Sequence, residues 1–166
     1  MELYDVYNSK RQKLNYTKDR SLPMEDDEYN FGVEAWITCG NKILMTKRCE
    51  LKSHPLMWEV PGGCSQVGEE SIDSIRREIQ EEVSIKMVDD SFKLIGTILY
   101  KKQFVDIYTA ELNIDINDLK LQEEEVCDVK LVDEEMFNEM INNGEIVASV
   151  INRFYKIKEH LNINWK

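Results

Sequence analysis

Glu78, Glu81 and Glu82 stand at i, i+3 and i+4, which on a helix brings three carboxylates to one face within about one turn. Carboxylates this close repel one another by about 0.2–0.5 kcal/mol per pair. A merely solvated face more naturally alternates signs, as Asp73 and Arg77 do four residues apart. Oxygen-only ligands so arranged suit Mg²⁺ or Mn²⁺, which are held by a few carboxylates together with water and substrate phosphates. The loop before them, Gly62-Gly63-Cys64-Ser65-Gln66-Val67-Gly68, has the glycine spacing of a phosphate cradle. Glu69-Glu70 follow where a P-loop places Lys and then Ser or Thr, so this is no Walker A site. On residue types alone, a metal site and an acidic solvent-facing helix both stay open.

These side chains need a helix and a sheet to hold them. Ile72, Ile75, Ile79 and Val83 fall on one helical face, so Glu69 to Val83 reads as a helix packed on strands. Strand patterns run from Tyr29 to Cys39 and from Lys42 to Lys47, with Gly40-Asn41 as the hairpin turn. Trp58-Glu59-Val60 is a further strand-like stretch, and Pro61-Gly62-Gly63 reads as loop. Phe92–Tyr100 and Phe104–Leu112 form a second hairpin, and Val126–Val132 a further strand. Helical patterns close the chain over Asp133–Asn142 and Val147–Leu161. Glu2 to Tyr7 reads as an edge strand, and the polar stretch from Asn8 to Tyr29, with Pro23, as a covering arm. Mixed strands with helices on their faces give an α/β or α+β sandwich. With 166 residues the expectation is one domain over 1–166, residues 1–28 serving as N-terminal strand and arm.

Composition narrows the partners. Apolar residues make up 42 %, enough for a core, and the net charge is −11 with a pI near 4.7. So acidic a chain is unsuited to non-specific binding of DNA, RNA or anionic lipid, which needs clustered cations. A phosphorylated substrate would need bound cations to be held. The four cysteines, Cys39, Cys49, Cys64 and Cys127, form no CxxC pair, and only His54 and His160 could join them, which argues against zinc. Met1 to Asp5 carries no basic or apolar leader pattern, and no run approaches the roughly 18 apolar residues of a membrane span. A cytoplasmic location, no membrane partner and no disulfide framework are expected, with a homodimer left open.

Gly63, five residues, Glu69, seven residues, then Arg77-Glu78-Ile79-Gln80-Glu81-Glu82-Val83-Ser84-Ile85 resembles the Nudix box, GX5EX7REUXEEXGU with U aliphatic. Every defining position matches except Ser84, where the box has its second glycine; that glycine is expected to end the helix in a left-handed turn. The strand order from about Tyr29 onward is similar to the Nudix order, which implies an α/β/α sandwich with a mixed sheet. The resemblance implies a Mg²⁺- or Mn²⁺-dependent hydrolase that cleaves the diphosphate linkage of a nucleoside diphosphate derivative. Glu78, Glu81 and Glu82 would ligate metal, Gly63 would lend backbone to the metal or pyrophosphate, and Arg77 would orient the glutamates. The general base would be Glu78 on the box helix or a later glutamate. In the run Glu123-Glu124-Glu125, Glu125 is the choice, Glu124 follows, and a solvated loop is the alternative.

The stretch before the box is similar to the branch that includes isopentenyl diphosphate isomerase, which makes Arg48 and Lys52 candidate diphosphate contacts. Gly62 stands where the isomerase pattern has its cysteine, which argues against isomerase chemistry, and Cys64 is expected to be a small loop residue. Trp36 and Trp58 are expected in the core. A nucleotide or metabolite sensor without turnover is the remaining alternative, though the box keeps its glutamates.

Overall fold

The computed structural model describes residues 2–87 and 90–166. The chain forms β1 (Leu3–Tyr7), β2 (Lys13–Asp19), β3 (Asn30–Cys39), β4 (Lys42–Arg48), β5 (Trp58–Glu59), β6 (Gly62–Cys64) and helix α1 (Ser71–Val83). Then come β7 (Lys93–Tyr100), β8 (Gln103–Glu111), β9 (Val126–Val132), α2 (Glu134–Asn142) and α3 (Ala148–Ile157). The larger sheet is mixed, with β3 and β8 parallel from Asn30 opposite Gln103 to Thr38 opposite Glu111. Its remaining pairings are antiparallel: β3 with β4 and β6, β4 with β5 and β9, and β7 with β8.

Strand alternation sorts the core into two layers. Val33, Ala35 and Ile37 of β3, with Leu44, Tyr108 and Ala110, face Ile75, Ile79 and Val83 of α1. Trp36, Ile43, Met45, Val105 and Ile107 point the other way, onto Phe137 and Met140 of α2 and Val150, Phe154 and Ile157 of α3. The architecture is the expected α/β/α sandwich on a mixed sheet. Trp36 and Trp58 are buried in the second layer, as core residues.

Two segments differ from the expectation. Within 8–29, read as an arm, Lys13–Asp19 forms strand β2 and pairs with β1 from Leu3 opposite Asp19 to Tyr7 opposite Lys13. Its side chains are exposed or half-buried on both faces, so it lacks the apolar alternation that marks a strand in sequence. Residues 62–64, read as loop, form the short strand β6, because Gly62 lets the backbone lie close against Val33 and Glu34 of β3. β3 and β4 touch only at their hairpin end, Thr38–Ile43 and Cys39–Lys42. Upstream, β3 is taken by β6 and β8, while β4 is taken by β5 and β9.

Candidate active site

Glu70 caps α1 with extended backbone, and the helix runs from there to Ser84 at φ 59° and ψ 28°, the left-handed turn expected at that position. The buried stripe of Ile75, Ile79 and Val83 fixes the rotation of α1, so Glu78, Glu81 and Glu82 face strand β6 at the rim of the sheet. They line a cavity of about 100 Å³ together with Gly63, Arg77, Lys52, Gln122 and Glu125. The box helix, the loop after β4 and the loop before β9 therefore deliver candidate residues to one place. Glu124 is exposed and does not line that cavity.

Arg77 organises the cluster. Its Nε donates to Glu69 Oε1 at 2.5 Å, and Nη2 to Glu69 Oε2 and the Cys64 carbonyl, both at 3.0 Å. Nη1 donates to Glu78 Oε1 at 2.9 Å and to Glu81 Oε2 at 3.1 Å. The five-donor fork thus ties the start of α1, β6 and two box glutamates into one unit. Burial alone would raise the Glu69 carboxyl, but bonds from Arg77, the Gln66 amide and Ser74 overcome it and hold it below its ordinary value. Glu78 is pushed up by burial, opposed by Arg77 and reinforced by Glu81 and Glu125.

Glu82 is the most confined of the three, at 2 % exposure. Its carboxylate accepts a hydrogen bond from the Gly62 amide at 3.1 Å. Burial first, then the negative charges of Glu78 and Glu59, push its carboxyl well above the ordinary range. Gly63 lies directly under Glu78: a methyl at this position would fall on the Glu78 carboxylate and force it to move. Among the described residues, no three carboxylate, histidine or cysteine side chains already converge as an ion-binding group. Glu78 and Glu81 are instead drawn onto Arg77. The donor set is nonetheless all oxygen and crowded, and among the described residues no ion pair reaches its innermost member, Glu82, which feels Lys52 only at a distance. Such a set fits a hard divalent ion.

The loop that carries Glu125 is anchored to the end of α1. Gln122 N–H donates to the Glu82 carbonyl at 3.1 Å, and the Ser84 hydroxyl to the Lys120 carbonyl at 2.9 Å. Glu125 forms an ion pair with Lys52. Arg48 turns away from the carboxylates: Nε and Nη2 bond to the carbonyl and hydroxyl of Ser53 at 2.5 and 2.9 Å, and Nη1 to Glu59 at 2.6 Å. It lines a second cavity on the far side of β6, which Lys52 also borders. Cys64 accepts a hydrogen bond from Gln103 at 3.1 Å.

Arg20, at the end of the N-terminal hairpin, borders both cavities and pairs with Glu2 at 2.8 Å. The hairpin is clamped along its length by Asp5, which takes the Gly68 amide at 2.8 Å, and at its turn by Arg11, whose fork grips buried Asp106 at 2.6 and 2.5 Å. The sequence reading passed over Arg20 because only the pairing of β2 with β1 carries it to the site. No helix among the described residues is long and apolar enough to cross a membrane.

Nudix hydrolase 3 of Arabidopsis thaliana is 27 % identical over 160 residues, covering 87 % of this chain and 21 % of that protein. The crystal structure of DR0079 from Deinococcus radiodurans superposes with a TM-score of 0.75 at 20 % identity, covering 93 % of this chain and 99 % of that one. A bifunctional NMN adenylyltransferase/ADP ribose pyrophosphatase from Francisella tularensis, complexed with AMP and Mn ion, superposes at 0.68 with 15 % identity, over 80 % of this chain and 42 % of that one. The NUDIX domain family matches residues 29–158, which span the sandwich and the helix bearing the clustered glutamates. With that match over most of its length, this chain belongs to the Nudix domain family.

Proposed function

We propose that the chain hydrolyses the diphosphate linkage of a nucleoside diphosphate derivative or similar small molecule, using Mg²⁺ or Mn²⁺. The observation that carries this reading is the confined Glu82 carboxylate, backed by Glu78 and Glu81 over the glycine-floored strand β6. Membership of the family and the Mn ion bound to the Francisella protein support it.

Glu78, Glu81, Glu82 and the backbone of Gly63 would hold the ion. Bound there, it would supply charge neutralisation on the phosphate oxygens and a lowered pKa for a water nucleophile. The protein's own groups do the rest. Arg77 fixes Glu78 and Glu81 against Glu69, so that the carboxylates meet substrate in a set geometry rather than as mobile side chains. Glu125 borders the same cavity and receives the proton of the attacking water, with Lys52 holding its carboxylate in place. Glu78 is the other candidate base on the box helix. Lys52 and Arg48 border the side of β6 where the remainder of the substrate lies. The similarity of the stretch before the box to the isopentenyl diphosphate isomerase branch belongs to this proposal as a guide to substrate orientation only.

The test is a panel of diphosphate compounds (ADP-ribose, nucleotide sugars, dinucleoside polyphosphates, coenzyme A derivatives and oxidised nucleoside triphosphates) incubated with Mg²⁺ or Mn²⁺. Cleavage of at least one compound at its diphosphate is expected. Binding without any cleavage would replace the hydrolase by a sensor.

A further inference from the structure

The second cavity, about 290 Å³, shares Gly62, Gly63, Cys64, Arg20 and Lys52 with the glutamate cavity but has the opposite charge. Its charged lining is Arg20, Arg48, Lys52 and Arg153 against Glu34 and Glu59. In the glutamate cavity Glu2, Glu78, Glu81, Glu82 and Glu125 outnumber Arg20, Lys52 and Arg77. A cationic chamber beside an acidic one is unexpected in a chain of net charge −11.

Arg20 bonds Glu2 through Nη1 alone and is exposed; Arg153 is the confined cation of that chamber with donors to spare. It projects from α3, and its Nε is fixed by Glu34 of β3, at 2.8 Å from Oε1 and 2.7 Å from Oε2. Glu34 is itself held by the Trp36 indole N–H at 2.9 Å and is 5 % exposed, so the anchor is rigid. The Arg153 side chain is only 14 % exposed. Among the described residues no protein group bonds its two terminal nitrogens, and the residue borders the cavity together with the Ser149 hydroxyl. By contrast Arg48 spends all three of its nitrogens on Glu59 and Ser53. A guanidinium locked at Nε, on a residue that lines a cavity and whose Nη groups no described residue bonds, is a preorganised fork for a phosphate or carboxylate.

We infer that Arg153 anchors a subsite for a second anionic group, a phosphate monoester or a carboxylate, carried by the substrate apart from its diphosphate. This rests on the proposed hydrolase reading for the location of the diphosphate at the glutamates. The substrate class narrows accordingly to diphosphate compounds that carry a further anion. Arg153 then discriminates among them through binding.

Matched pairs test it by calorimetry, in EDTA and again with Mg²⁺. Coenzyme A and dephospho-coenzyme A differ by one phosphate monoester; UDP-glucuronate and UDP-glucose differ by one carboxylate. The anionic member of at least one pair should bind about tenfold tighter or more, and the responding pair tells phosphate from carboxylate. Arg153→Lys keeps a charge beside Glu34 but loses the fork, so the preference should fall to about twofold with the melting temperature nearly kept. A purely structural arginine would change the melting temperature and leave the preference intact. Equal affinities within both pairs, no binding at all, or a preference that survives Arg153→Lys would overturn the inference. Discrimination without cleavage in Mg²⁺ would sink the hydrolase reading and leave the subsite standing.

Discussion

Glu82 and Glu70 lie on the same short stretch of chain with opposite surroundings. Glu82 is buried among negative charges. Glu70 is exposed and caps α1 through its backbone. A carboxyl held above its ordinary value in the folded state binds protons there that the unfolded chain has released. It therefore costs stability as pH rises above the ordinary range. Glu82→Gln should accordingly raise the melting temperature of the metal-free protein at neutral pH, while lowering kcat by about 10²-fold or more through loss of a ligand charge. Glu70→Gln should change neither. Opposite movement of stability and activity in one variant separates a functional carboxylate from a surface one. If Glu82→Gln keeps its kcat or melts lower, the role given to that residue is wrong. The spacing of the box glutamates was readable from the sequence, but their inequality was not. Glu78, Glu81 and Glu82 look alike as letters, and only the packing of α1 on β3 and β6 makes one buried, one partly covered and one exposed to solvent. Gly63 was legible as part of a pattern. Its reason, the Glu78 carboxylate directly above it, required the fold.

At the scale of elements, the end of α1 and the N-terminal hairpin each make a distinct demand. Ser84 stands at φ 59°, where a side chain is strained, yet its hydroxyl reaches the Lys120 carbonyl of the loop leading to Glu125. Ser84→Val adds β-branching in the left-handed region and deletes that bond. It should destabilise by about 1–3 kcal/mol in a urea titration. A change below a few tenths would show that the turn is not strained. In the hairpin, Glu28 accepts hydrogen bonds from Lys18, the Glu25 amide and Tyr16, which together hold its carboxyl at about 2, against the burial that opposes them. A lowered folded value means that stability is present above the ordinary carboxylate range and is lost as pH falls toward 2. The urea midpoint of the wild type should therefore drop between pH 5 and pH 2, and Glu28→Gln should start lower and drop less. Parallel curves would contradict the assignment. The helices and the strands of the large sheet other than β6 were legible because apolar periodicity marks them. β2 was not, since it pairs with β1 through its backbone and buries little. β6 was hidden because glycines read as turn.

Taken whole, the molecule sets an acidic cavity and a cationic one on either side of a strand, inside a chain that repels anions at long range. Arg20 and Arg153 reach these cavities from opposite ends of the sequence, through the hairpin and α3. No local pattern could announce them: Arg153 reads as a polar position on an amphipathic helix until Glu34 is placed opposite. On the proposed reading, the acidic half needs a cation before it can hold a diphosphate. The most direct measurement is therefore the rate of diphosphate cleavage by the intact chain, on the best compound of the panel, across a Mg²⁺ titration begun in EDTA. The account predicts no turnover in EDTA, a saturable rise with Mg²⁺, and restoration by Mn²⁺ as well. Undiminished turnover in EDTA would contradict it.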